Sequence, residues 1–117
     1  MVAISLILIM VIQGLFAHRG SKDIIGTWKT EKGTVTIVEE GDRFTGTSTL
    51  ETGEEVMILK NLKFEEDQWV GEIYAVKRKK YYPVKCMLLK GGKLEVKISA
   101  GIMSKTLEWI NLKSINN

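Results

Sequence analysis

Along residues 93–100 apolar and polar side chains alternate without a break. Leu94, Val96, Ile98 and Ala100 share one face, and Lys93, Glu95, Lys97 and Ser99 share the other. A period of two is that of a half-buried β-strand. Residues 80–89 repeat the pattern, with Tyr82, Val84, Cys86 and Leu88 on one side. In residues 56–64, Val56, Ile58, Leu62 and Phe64 form an apolar row with Lys60 in its middle. The same reading predicts eight strands, over residues 24–31, 34–39, 43–50, 56–64, 68–76, 80–89, 93–100 and 105–112.

The connections carry hairpin chemistry: Lys32-Gly33, Glu40-Gly41-Asp42, Thr52-Gly53, Glu65-Glu66-Asp67 and Gly91-Gly92. Short connections make successive strands antiparallel neighbours, so the expected fold is all-β, an eight-stranded antiparallel meander barrel over residues 24–112. Gly26-Thr27-Trp28 opens it, and Lys105-Thr106-Leu107-Glu108-Trp109 nearly closes it. Asp23 is placed to cap a short turn ahead of the first strand. Gly46 and Gly71, inside strands, predict sharp bends. Pro83 removes one ladder donor and predicts a bulge or an unpaired edge nearby.

Residues 1–17 lack any charged side chain, whereas all 17 Lys+Arg and 14 Asp+Glu follow them. The apolar run of residues 2–12, with Gln13-Gly14-Leu15-Phe16-Ala17 behind it, is expected to be a signal peptide, and the protein exported to the periplasm or secreted. An uncleaved anchor is the alternative, although a full span takes about 20 apolar residues. Residues 18–23 then form a linker and 113–117 a short tail. The formal net charge of +3 is too mild to argue for nucleic acid.

The chain holds one His, one Cys and one Pro. His18 lies at the expected processing site, so nothing pairs it with a nucleophile, and no enzyme is expected. A single Cys forms no internal disulfide, and without a second His or Cys no zinc site or other cofactor is expected. Cys86, on an apolar face, reads as a packed thiol. Glu65-Glu66-Asp67 and the carboxylates of Glu39, Glu40 and Asp42 read as solvated hairpin tips, since a calcium ion takes six to eight oxygens.

Two candidate sites remain. Eight-stranded barrels are just wide enough inside to be filled by side chains or to hold one small ligand. A ligand lining is expected from Trp28, Phe44, Ile58, Tyr82 and Trp109, with Lys60, unless it snorkels outward, or the basic hairpin of residues 77–80 meeting an anionic end. The second site is the run Lys77-Arg78-Lys79-Lys80, followed by Tyr81 and Tyr82. It suits an anionic membrane surface or an envelope protein.

From Trp69 onward the chain resembles the DUF2147 family, small exported bacterial proteins of uncharacterised function. The resemblance rests on Trp69, Gly71, Ile73-Tyr74-Ala75-Val76, Lys80, Tyr82, Leu88, Leu94-Glu95-Val96, Gly101 and Lys105-Thr106-Leu107-Glu108-Trp109, with Ile25-Gly26-Thr27-Trp28 similar to the family's start. It covers most of residues 23–112. Ala75-Val76 stands where the family has Asp-Pro, Lys79 where it has Gly, and Lys105 and Asn111 where it has Arg. The segment between the third and fourth strands is also shorter. The resemblance implies a lipocalin-like or calycin-like barrel. The expected function is therefore that of an exported, non-enzymatic barrel binding a small apolar or amphipathic ligand. The alternative is a solid barrel that docks in the cell envelope through residues 77–82.

Overall fold

The computed structural model describes residues 20–115. Eight antiparallel strands form a closed barrel in chain order: β1 (Gly26–Thr30), β2 (Gly33–Glu40), β3 (Arg43–Thr49), β4 (Glu55–Glu65), β5 (Gln68–Ala75), β6 (Lys80–Leu89), β7 (Lys93–Ala100) and β8 (Met103–Asn111). The predicted strands over 80–89 and 93–100 coincide with β6 and β7, and the others differ by one or two residues at their ends. Trp28 faces Asn111 across the β1–β8 seam, where the first and last strands meet and close the barrel.

Before β1 the chain makes a 3-10 turn over Ser21–Ile24 where strand was expected at Ile24. Asp23 accepts a hydrogen bond from the Gly20 N–H at 2.9 Å, satisfying one donor at the turn's start. The turn is a plug. Ile24 is fully buried, the Trp28 indole N–H donates to its carbonyl at 2.9 Å, and the Trp69 indole N–H donates to the Ser21 carbonyl at 3.0 Å. A tryptophan in a core needs a partner for its N–H, and two of the three find it in this turn.

The plug defines a closed end, shared with the turns after β2, β4 and β6. Beneath it the barrel is solid. Trp28, Ile37, Leu59, Leu62, Trp69, Val84, Cys86, Leu94 and Val96 are completely or almost completely buried, with Val35, Phe44 and Trp109 beside them. Phe64 packs on Trp69 with ring centroids 4.8 Å apart. Each such side chain contributes about 1.5–3 kcal/mol of apolar burial.

One predicted row is corrected. In β4 the apolar alternation is broken twice: the register with β3 slips between Phe44 and Gly46 and again before Thr47, and the register with β5 slips between Lys60 and Lys63. Asn61 takes the left-handed φ of 56° that the extra residue requires. Leu59 thereby turns into the core, and Lys60 points outward. Its ammonium lies 3.8 Å from the centre of the Tyr81 ring, on the outer face.

Pro83 behaves as a missing donor demands. It faces Glu72 on β5, and the ladder with β7 begins only at the next residue, Val84 opposite Ile98. Beyond that pair the β5–β6 and β7–β8 hairpins run on as separate fingers.

Candidate functional site: the open mouth of the barrel

The open end is framed by the β1–β2 turn, the β3–β4 loop and the two fingers. The β7–β8 finger is free on both sides. Its β7 residues past Ile98 lack a ladder to β6, and β8 joins β1 only at Ile110 and Asn111. Its strands nonetheless pair with each other to the tip, Ala100 facing Met103. Gly101, at φ 66°, makes the tip turn.

Alternation carries the inner face of each strand up into the mouth. Above buried Val84 stand Tyr82 and Lys80; above buried Trp109 stand Leu107 and Lys105; above buried Val96 stand Ile98 and Ala100. Ile58, Tyr82, Ile98 and Leu107 are partly buried and pack on the core below them. The result is a shallow apolar cup with cations at its lip. Arg78 donates to the Tyr82 hydroxyl at 3.3 Å, and that hydrogen bond pushes the guanidinium's pKa further up. The Lys80 ammonium lies 5.4 Å from the centre of the Tyr82 ring.

Beyond Glu72 at the base of the β5–β6 finger, the fingers carry no carboxylate: residues 73–94 and 96–107 contain neither Asp nor Glu. The other half of the rim holds Glu31, Glu51, Glu54 and Glu55. The mouth is therefore electrostatically split, basic on the fingers and acidic across from them.

The expected lining residues do not form one wall. Trp28, Phe44 and Trp109 belong to the packed core, whereas Ile58 and Tyr82 reach the cup. Lys60 lies outside the barrel, because the bulge at Asn61 reverses the alternation. The basic run of residues 77–80 sits at the same mouth as Tyr82, so of the two cationic groups expected at the ligand's end it is the hairpin, not Lys60, that adjoins the cup. Sequence reasoning missed Ile98, Leu107 and Lys105. The signal was present: Lys105, Leu107 and Trp109 share the parity of β8.

Two of the surface grooves lined by described residues lie away from the mouth. One of about 380 Å3 runs along Ile25, Gly26, Thr27, Asn111, Leu112 and Lys113; the other, about 280 Å3, lies among Glu65, Glu66, Gln68, Val70 and Lys85. Both are outside the barrel wall. Cys86 is buried on the inner face, and burial pushes its thiol up to about 12. Such a thiol is inert at neutral pH. Among the described residues no helix is long and apolar enough to cross a membrane.

A closed, eight-stranded antiparallel meander of this size has the lipocalin-like barrel architecture. The Helicobacter pylori protein HP1028, described as belonging to the lipocalin family, superposes with a TM-score of 0.67 over 81% of this chain and 88% of its own, at 20% identity. At that identity the likeness concerns the fold. No family model matches the chain, and none of the curated proteins is significantly similar to it.

Proposed function

We propose that the protein is an exported, non-enzymatic barrel that holds one small amphipathic molecule at its open mouth. The apolar part of the ligand rests in the cup of Ile58, Tyr82, Ile98 and Leu107, and its anionic end meets Lys80, Arg78 and Lys105. The carrying observation is Tyr82. It continues the buried row of Val84 and Cys86 upward and touches Arg78 and Lys80 at the rim, so one residue joins an apolar floor to cationic walls. Apolar burial with a few orienting polar groups is how small-molecule sites work. The solid closed end limits the ligand to a seat at the top of the barrel. The lipocalin-like fold supports small-molecule binding. The uncharged leader over residues 1–17, which lies outside the described residues, and the similarity of the chain's motif order to the exported DUF2147 proteins support the setting.

Titration of the protein with a fluorescent fatty-acid analogue tests this reading. Saturable, one-to-one uptake is expected, weakened in Tyr82→Ala and Leu107→Asp and retained in Lys60→Gln. Absence of saturable uptake, or full uptake by the Tyr82→Ala variant, contradicts it.

A further inference from the structure

The two fingers have a property that a ligand cup does not need. Their tips expose large apolar side chains at the very end of the molecule: Ile102 is fully exposed, Met103 is 72% exposed and Val76 is 44% exposed. The remaining exposed large apolar residues, Ile25, Val38, Met57 and Ile110, are scattered singly over the wall. Single exposures of that kind are ordinary, whereas a cluster of them marks a contact surface. Around the finger tips stand Lys77, Arg78, Lys79, Lys80 and Lys105, with no carboxylate on either finger beyond Glu72 at the base.

We propose that the fingers are a docking surface for an anionic lipid bilayer. Ile102 and Met103 enter the boundary between head groups and acyl chains, and the five cations rest on lipid phosphates. Two features favour a bilayer over a folded partner. The apolar pair sits at the apex of a hairpin turn and projects, so it suits a fluid phase it can sink into. The cations are spread over two hairpins, matching a diffuse negative surface rather than one anionic group. Glu31, Glu51, Glu54 and Glu55 on the far rim are repelled by the same surface, so the molecule lands on its fingers and tilts away from its acidic side. Basic residues near such a membrane attract it strongly, and the attraction weakens with salt. This docking does not depend on the cup: a barrel with an empty cup docks equally well.

Co-sedimentation of the full chain with phosphatidylcholine vesicles, with and without phosphatidylglycerol, tests the proposal. Any contribution of the leader is common to every variant. Binding is expected to be stronger on the anionic vesicles and to weaken as salt rises. Lys77→Gln with Lys79→Gln should lower partition about 25-fold, at about fivefold per charge. Ile102→Asp with Met103→Asp should lower it roughly tenfold or more. All four positions are exposed, and circular dichroism unchanged from the parent will show that the barrel is intact. Orientation is read separately. Because Cys86 is buried, Ser104→Cys and Glu51→Cys each accept a polarity-sensitive dye selectively; the dye at position 104 should shift to the blue on anionic vesicles and the dye at 51 should not. Equal binding to both vesicle types, insensitivity to both pairs of substitutions, or a shift at 51 without one at 104 overturns the proposal. So does failure to bind anionic vesicles, whatever soluble polyanion the protein retains.

Discussion

Gly71 lies directly against the bulge at Asn61. A Cβ at Gly71 would come within 2.7 Å of the Lys60 carbonyl oxygen and 2.9 Å of the Asn61 carbonyl group, both backbone atoms that cannot rotate away. The glycine therefore makes room for the extra residue in β4, and that residue turns Leu59 into the core and Lys60 out onto Tyr81. Gly71→Ala is expected to destabilise the fold by about 1–3 kcal/mol, the cost of overpacking. Urea unfolding measures it, and an unchanged midpoint would show that the bulge does not rest on this position.

The turn between β4 and β5 invites the opposite change. Glu66 and Asp67 both adopt left-handed backbone, at φ 52° and 64°, which L side chains adopt at a cost. Replacing the pair with Asn-Gly, the residues that such hairpin turns favour, should raise stability by about 1 kcal/mol. A thermal melt that moves downward would contradict the assigned turn.

The plug over the closed end depends on two indole N–H groups. Trp69→Phe removes the donor to Ser21, leaves that carbonyl without its partner and empties part of the core. The expected loss is about 2–4 kcal/mol, combining a lost hydrogen bond with lost volume. Faster amide exchange across residues 21–24 is its local signature.

Cys86 supplies a pH dependence. Its thiol titrates at an ordinary 9.0 when the chain unfolds and at about 12 when it is buried. Above pH 9 the unfolded chain loses a proton that the folded chain keeps, so this group's contribution to stability is complete below pH 9 and is lost as pH rises toward 12. The loss runs at about 1.4 kcal/mol per pH unit. Cys86→Ala should be less stable at neutral pH and show a shallower alkaline decline than the parent. Native protein should resist thiol reagents that react once it is unfolded.

Strand count, order and pairing were legible in the sequence because half-buried strands advertise a period of two, and β6 and β7 keep it without interruption. The lining was harder to read for the same reason. The alternation of β4 fails at two bulges, and nothing in Ile58-Leu59-Lys60-Asn61-Leu62 distinguishes a bulge from a regular strand until Gly71 on the neighbouring strand is placed beneath it. Depth was invisible as well. Trp28, Phe44 and Trp109 are apolar residues of the inner face, like Tyr82, and only the three-dimensional stacking places the first three in the solid floor and Tyr82 at the mouth. The convergence of the basic run with Tyr82 follows from the turn geometry: Tyr82 lies four positions after Arg78, and the hairpin folds the guanidinium back onto the phenol.

Photolabelling tests the central claim most directly. A fatty acid bearing a photoreactive group in its chain, bound to the protein and irradiated, should leave its adducts on Ile58, Tyr82, Ile98 and Leu107, as read by peptide mass spectrometry. Adducts on Trp69, Phe64 or Cys86 would place the ligand in the packed closed end and contradict a seat at the mouth, and labelling spread evenly over the outer wall would mean that the mouth is not a binding site.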